Sequence, residues 1–322
     1  MSDISPYLLE TEDLRKHFPL KKGGVIKAVD GVTLRLSRGE TLSVVGESGC
    51  GKSTLGRVIL RLHDPTGGRV LFDGQDLMKL SPRGLRAKRK EMQMVFQDPF
   101  ASLDTRQRVW KIITEPLVIH KLAARNELKD RARELLKIVG LDAEAADRFP
   151  HEFSGGQRQR IGIARAVAVN PKLIVADEPV SALDVSIQSQ ILNLLVKLRR
   201  ELGLSYIFIS HDLAVVKHIS DSVAVMYLGR LAERADTDTL FSQPRHPYTE
   251  ALLSAIPRLN PKKRGRRIIL PGDIPDPTHP PPGCLFHPRC QKAMDVCRTE
   301  TPGPLEVGTL DRSHLVWCHL YR

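Results

Sequence analysis

The residues Gly46-Glu47-Ser48-Gly49-Cys50-Gly51-Lys52-Ser53-Thr54 carry the spacing Gly-x-x-x-x-Gly-Lys-Ser. Glycines at those intervals let backbone N–H groups wrap phosphate oxygens, and a helix that starts at the lysine adds a favourable field. Lys52 is expected to hold the β- and γ-phosphates of a nucleotide, and Ser53 a Mg²⁺ ion. Cys50 occupies a variable position of the loop, where a small filler rather than a catalytic thiol is expected.

Asp177 closes the apolar run Leu173-Ile174-Val175-Ala176. A carboxylate at the end of a buried strand is costly to desolvate unless it serves a cation, so a Mg²⁺-linked role is expected. Glu178 comes next and would polarise the water that attacks the γ-phosphate; the alternative is an ordinary helix-capping acid. Ser154-Gly155-Gly156-Gln157 has the form of a capping box, which on local grounds alone starts an ordinary helix. Its two glycines would also bare backbone N–H groups at that helix N-terminus, a cradle suited to phosphate.

The elements that must position these residues are readable from periodicity. Residues 41–45 form a short apolar run, and a helix is expected from Lys52, so the glycine-rich loop falls at a strand-to-helix turn. Residues 69–72 and 92–96 are strand-like, with Asp73-Gly74 as a turn, and give a β-rich front part. Leu128, Ala132, Leu135, Leu136 and Val139 stand at helical spacing with Gly140 as the stop, a helical insertion. After the buried strand at 173–176, Ile187, Ile191, Leu194, Leu195, Leu198 and Leu202 mark one face of a long helix. Strands follow at 205–209, ending at Ser210-His211-Asp212, and at 222–228; this alternation predicts a parallel sheet. The core is expected to end near Arg234. From Pro244 onward prolines multiply, and the stretch Pro271 to Pro288 can build neither helices nor central strands. No internal repeat is visible.

A length of 322 residues predicts about two domains, one large and one small. The net charge of +12 is partly local, concentrated in Lys262-Lys263-Arg264-Gly265-Arg266-Arg267, a solvated basic loop rather than a nucleic-acid surface. No apolar run approaches the ~20 residues that cross a bilayer, and Ser2-Asp3-Ile4-Ser5 lacks a signal-peptide pattern. A cytoplasmic protein without direct membrane insertion is expected, reaching a membrane only through partners. Of five cysteines, Cys284, Cys290, Cys297 and Cys318 crowd into the tail, and a reducing compartment makes metal ligation a better reading than disulfides.

Ser154-Gly155-Gly156-Gln157 followed by the run ending in Asp177-Glu178 resembles the ATP-binding-cassette (ABC) ATPases, in which two cassettes clamp ATP between them. The resemblance implies an α/β P-loop ABC ATPase with a β-rich front subdomain, a RecA-like core, a helical subdomain and a small loop-rich C-terminal extension. It places an ATPase domain over residues 1–243 and the extension over 244–322. It implies that Ser154 to Gln157 act on ATP held by a partner chain, and that Gln97 in Val95-Phe96-Gln97-Asp98-Pro99 contacts Mg²⁺ or water near the membrane partner. A solvated strand-end glutamine is the alternative for Gln97. His211 resembles the switch histidine that hydrogen-bonds the γ-phosphate, and Ser181-Ala182-Leu183-Asp184 the segment that packs across the dimer. Phe18 either stacks on adenine or belongs to the core.

His246-Pro247-Tyr248-Thr249, Leu252-Leu253-Ser254-Ala255 and Pro280-Pro281-Pro282-Gly283-Cys284 resemble the C-terminal extension of dipeptide and oligopeptide importers, as do the details over 204–213 and 245–259. The resemblance implies an ATP-hydrolysing subunit that energises peptide import at the cytoplasmic face of a bacterial inner membrane. Its implied partners are a paralogous ATPase forming a heterodimer, two permease subunits and a periplasmic peptide-binding protein, with no nucleic acid. Import of nickel, glutathione or another small solute is the alternative within transport. A nucleic-acid-associated cassette protein fits less well, because the interval between Lys52 and Ser154 is too short for a long coiled-coil insertion. The spacing of the four tail cysteines does not choose a metal. The resemblance implies a [4Fe–4S] cluster, with zinc or unligated thiols as alternatives, in a structural rather than an electron-transfer role.

Overall fold

Short runs rich in Val, Ile and Leu, punctuated by glycine turns, set the strands of this protein. A computed structural model describes residues 5–20, 23–98, 100–256, 267–308 and 313–322. The N-terminal residues 1–4, Pro99, residues 257–259 of the importer-like stretch and residues 262–266 of the basic run lie outside the described residues. In chain order the strands are β1 (Tyr7–Pro19), β2 (Val25–Ser37), β3 (Thr41–Val45), β4 (Gly67–Phe72), β5 (Gln75–Asp76), β6 (Met92–Val95), β7 (Leu173–Asp177), β8 (Ser205–Ser210), β9 (Ser222–Tyr227), β10 (Arg230–Asp236), β11 (Leu305–Glu306) and β12 (His314–Val316). The helices are α1 (Lys52–Ile59), α2 (Pro82–Arg89), α3 (Val109–Ile119), α4 (Leu128–Ile138), α5 (Gly155–Val167), α6 (Val185–Leu202), α7 (Leu213–Ile219), α8 (Thr237–Ser242), α9 (Pro247–Ser254) and α10 (Val296–Thr299).

The chain divides into two units. The first draws on Met1–Leu36, Thr41–Gln75 and Ser210–Arg322. In it β1 lies between β2 and β4 and runs antiparallel to β4. A second group of strands follows the order β11-β12-β10-β9-β3, in which β3 and β9 are parallel, with Leu42 opposite Ser222 and Val45 opposite Val225. Every residue of β3 and β9 is buried, as strands covered on both faces must be, whereas β2 alternates buried and exposed positions like a sheet with one solvated face. Val45, Val216, Val223, Val225, Tyr227, Tyr248 and Phe286 share one core, against which Cys284, Leu285 and Cys290 pack. The sequence reading missed β1 and β2, because their charged solvent faces interrupt the apolar runs. The proline-rich stretch 271–288 carries no strand, as expected, but against the expectation of no helix its last residues enter a 3-10 turn over His287–Arg289. Pro288 sits in the first turn, where a missing N–H costs nothing. The flanking α9, β11 and β12 also form.

The second unit comprises Ser37–Glu40 and Asp76–Ile209. Here β6, β7 and β8 are parallel, with Met92 opposite Leu173 and Asp177 opposite Ile209. Helices α3, α4 and α5 pack together, and Leu117, Leu128, Ala168 and Val169 form one of their apolar contacts. The expected stop of α4 is present: Gly140 takes φ 73°, which an L side chain tolerates poorly, and its N–H donates to the Lys137 carbonyl. On α6 the predicted face is buried at Ile191, Leu194, Leu195 and Leu198, but Leu202 in the last turn is exposed.

Glu233 on β10 organises the tail of the first unit. Fully buried, it accepts the backbone N–H groups of Arg245 at 2.6 Å and His246 at 2.9 Å, and stands 2.7 Å from His314 Nε2 on β12. His246 caps α9: its Nδ1 accepts from the Tyr248 N–H at 3.0 Å, and Pro247 follows at the first helical position. Accepting at Nδ1 requires a neutral ring, and burial pushes the His246 pKa down to about 4, against which the nearby Glu233 works only partly.

The unfolded chain therefore binds a proton at this site from pH 6.5 downward, while the folded chain resists until about 4. The contribution of neutral His246 to stability is complete above 6.5 and is lost as pH falls through that window. Urea unfolding across this range is expected to show that loss, and His246→Asn, which keeps a capping acceptor, is expected to flatten it. An unchanged slope in the variant excludes His246 as its source.

Candidate nucleotide-binding site

The loop between β3 and α1 is shaped by contacts within the first unit. Gly46 takes φ 152° and Gly51 φ 104°. A Cβ on Gly46 would overlap the Met226 carbonyl oxygen and come within 2.8 Å of Cys50 Sγ, and one on Gly51 would overlap the Ala28 carbonyl oxygen. Neighbouring backbone thus leaves room only for glycine at both ends of the loop. Gly51 precedes α1 in the left-handed conformation and supplies no side-chain cap, as an anion-binding helix N-terminus requires. Lys52 is 5 % exposed, and its Nζ donates to the carbonyls of Gly46 at 2.8 Å and Glu47 at 3.0 Å. Ser48 and Gly49 are exposed at the tip, while Ser53 and Thr54 are half-buried. Burial pushes the Cys50 thiol up despite the opposing Lys52 charge, in keeping with an unreactive filler.

Two side chains whose role at this loop the sequence does not disclose hold it through Glu47, Tyr248 being marked there only as part of the His246-Pro247-Tyr248-Thr249 segment. The Glu47 N–H donates to the Tyr248 hydroxyl at 2.9 Å, and Arg289 grips the Glu47 carboxylate through Nη1 at 2.7 Å and Nη2 at 3.1 Å. Both lie more than 200 positions from Glu47, and no spacing rule connects them. Phe18 is half-buried rather than core, edge-on to His63 at 6.0 Å with Lys16 Nζ 4.9 Å above its ring. His211 is exposed, just before Asp212, whose carboxylate caps α7.

The second unit carries the other expected residues. Asp177 ends β7 and is 1 % exposed. Glu178 takes φ 44°, an uncommon conformation for a non-glycine residue that costs about 1–3 kcal/mol and tends to mark functional positions. Its N–H donates to the Ile209 carbonyl at 3.0 Å, and Gln97 Nε2 donates to its carboxylate at 3.0 Å. Gln97 therefore meets the carboxylate expected to act on water, which its strand-end position alone did not reveal. Ser154 and Gln157 form the anticipated capping box: the Gln157 N–H donates to Ser154 Oγ at 3.4 Å, and the Ser154 N–H to Gln157 Oε1 at 3.0 Å. Gly156 has a packing reason the sequence did not disclose, since a Cβ there would overlap Ile187 Cγ2 on α6, while one on Gly155 would sit 3.4 Å from Leu183 Cδ2. Asp184 precedes α6 and is exposed, as is Val185.

In the tail, burial is the leading cause that pushes up the thiols of Cys284, Cys290 and Cys318, the last to about 11. The other three cysteines add to the shift at Cys318, Cys290 and Cys297 to that at Cys284, and Cys297 to that at Cys290, so the four sulfurs share one electrostatic neighbourhood. As a donor set, four thiols suit zinc or an iron–sulfur cluster. As an arrangement they do not yet form a coordination shell: among the described residues no group of three or more His, Cys, Asp or Glu side chains is placed to hold a metal ion.

The glycine-rich loop, Gln97, Glu178 and the capped α5 fall between positions 46 and 178. Residues 29–181 match the ABC transporter family, and residues 232–297 match the oligopeptide/dipeptide transporter C-terminal region. The chain is 53 % identical over 325 residues to the oligopeptide transport ATP-binding protein AppF of Bacillus subtilis, covering 98 % of this chain and 97 % of that one. It is 52 % identical over 306 residues to the dipeptide transport ATP-binding protein DppF of Escherichia coli, covering 94 % and 92 %. Among solved structures, the ATP-binding cassette MJ0796, a dimer in a post-hydrolysis state bound to ADP and Pi, matches with a TM-score of 0.65 at 31 % identity over 71 % of this chain and 98 % of that one. The chain belongs to the ABC transporter ATP-binding proteins that carry the oligopeptide/dipeptide C-terminal region.

The Gly156 contact gives a direct test of the packing beneath the capping box. Gly156→Ala is expected to destabilise the protein by about 1–3 kcal/mol, because the χ1 of Ile187 is stiff in a helix and cannot turn away. Ile187→Ala in the same chain is expected to recover part of that loss in thermal unfolding. A double variant less stable than the additive expectation contradicts the steric account.

Proposed function

We propose that the protein is the ATP-binding and ATP-hydrolysing subunit that energises import of dipeptides or short oligopeptides. The observation that carries this reading is a complete phosphate loop in a chain whose residues 232–297 match the oligopeptide/dipeptide transporter C-terminal region. We take the ATPase domain to be residues 1–243 and the extension 244–322. Lys52 binds the β- and γ-phosphates, the Gly46 to Thr54 loop wraps them, Phe18 lies against the adenine and His211 donates to the γ-phosphate. Ser53, Asp177 and Gln97 supply oxygen ligands for Mg²⁺, which when bound neutralises phosphate charge. Support for this set comes from the burial of Asp177, a carboxylate that a cation would stabilise. Glu178 takes the proton of the attacking water, held in place by Gln97.

Ser154 to Gln157 and Asp184 act across a dimer with a paralogous ATPase, a reading supported by their exposure, Gly155 and the buried Gly156 excepted. Two permease subunits and a periplasmic peptide-binding protein complete the importer, with this chain peripheral on the cytoplasmic face of the bacterial inner membrane. Exposed Phe96 and Phe100, on either side of Gln97, support a docking surface for the permeases. Among the described residues no helix is long and apolar enough to cross a membrane. The four tail cysteines hold a [4Fe–4S] cluster, with zinc as the alternative; what supports this is the mutual electrostatic influence of the thiols and the completeness of the set.

In the assembled importer, Glu178→Gln is expected to lower steady-state ATP hydrolysis by about 10²–10⁴-fold while ATP binding persists. Near-normal turnover would remove Glu178 from its assigned role. Anaerobically purified protein is expected to contain iron and acid-labile sulfide in equal amounts. Zinc without sulfide would assign the site to the alternative, and a colourless, metal-free protein would exclude both.

A further inference from the structure

The nucleotide loop of this protein is held from behind by its C-terminal region. The Glu47 N–H donates to the Tyr248 hydroxyl at 2.9 Å. That bond fixes the plane of the Gly46–Glu47 peptide. The carbonyls of these same two residues receive Lys52 Nζ. The position of the Lys52 ammonium is therefore set through Glu47 by a side chain about 200 residues later in the chain.

Arg289 acts on the same residue by charge. Glu47 places a carboxylate on the wall of a loop built to receive polyphosphate, where an uncompensated negative charge would repel the ligand. Arg289 meets that carboxylate with a two-pronged contact, its own side chain 8 % exposed and that of Glu47 24 % exposed. The Tyr227 hydroxyl accepts from Arg289 Nη1 at 3.5 Å, and Tyr227, Tyr248 and Phe286 form a mutually tilted aromatic group with centroids 4.8–5.3 Å apart. This group gives the tyrosine and the arginine a rigid backing.

We propose that Arg289 and Tyr248 are positioning residues for nucleotide binding: through Glu47 they set the loop backbone and cancel the one carboxylate on its wall, so that the C-terminal region controls ATP affinity. This rests on the assignment of the loop as the ATP site. A purely structural role, in which the contact only docks the tail, makes a different prediction for charge. If docking were all, removing the Glu47 charge would not repair the loss of Arg289.

The test uses the full-length chain and a fluorescent N-methylanthraniloyl ATP as the probe. Arg289→Ala is expected to raise the dissociation constant about tenfold. Arg289→Lys, which keeps the charge but loses the two-pronged geometry, is expected to fall between it and the unaltered chain. Glu47→Gln combined with Arg289→Ala is expected to regain most of the affinity, because the unpaired carboxylate is gone. Tyr248→Phe is expected to weaken binding with the Glu47–Arg289 pair intact. In steady-state hydrolysis by the assembled importer, Arg289→Ala should raise KM for ATP more than it lowers kcat. Unchanged affinity in Arg289→Ala overturns the proposal, and so does a double variant as weak as the single one. Lys52→Ala separates the two levels: if the unaltered chain binds the probe and this variant does not, the site assignment stands whatever Arg289 does. A chain whose probe binding is indifferent to Lys52 overturns both.

Discussion

The placement of one ammonium group governs this protein. Lys52 Nζ is held by the carbonyls of Gly46 and Glu47, almost without exposure, at the start of a helix whose first N–H groups have no side-chain cap. Positive charge and aligned N–H dipoles converge on one small volume, the electrostatic condition for gripping a polyphosphate. Everything around the loop serves that convergence. The Met226 and Ala28 carbonyls press on Gly46 and Gly51 so closely that the backbone has little choice of path, and the strands β3 and β9 beneath them are buried throughout.

The second unit seats two adjacent acids differently, Asp177 out of solvent and Glu178 partly in it. Asp177 is buried at the end of β7, and Glu178 beside it is held in an uncommon backbone conformation by its hydrogen bond to Ile209 and through its side chain by Gln97. The first unit also buries an acid, at Glu233, where two backbone N–H groups and a histidine surround a carboxylate with no exposure. At Glu233 the buried carboxylate is retained because directed hydrogen bonds replace water, and the donors come from β12 and from the segment ahead of α9.

What the sequence revealed follows from how local each signal is. The phosphate loop, the capping box at Ser154, the α4 stop at Gly140 and the fully buried strands β3, β7, β8 and β9 are written in consecutive residues, and all are present. The partly solvated β1 and β2 escaped notice because alternating charge breaks their apolar runs. Gly156 was legible as a residue that bares backbone N–H groups but not as a packing contact, since Ile187 lies on another helix. Arg289 and Tyr248 were least legible of all. The His246-Pro247-Tyr248 segment could be recognised as a family feature, yet its physical meaning, a neutral capping histidine that delivers a tyrosine hydroxyl to a loop 201 residues earlier, exists only in three dimensions.

The first unit is assembled from three separated stretches, Met1–Leu36, Thr41–Gln75 and Ser210–Arg322, with Asp76–Ile209 of the second unit lying in sequence between the latter two. On the ribosome the glycine-rich loop emerges early, but β9 beneath it and the tyrosine and arginine behind it emerge only after all of Asp76–Ile209. Nascent chains generally fold from the N-terminus as units become complete. In this chain that order leaves the loop without its wall until the second unit has been made, so a growing polypeptide carries the glycines and the lysine well before it carries a finished grip on nucleotide.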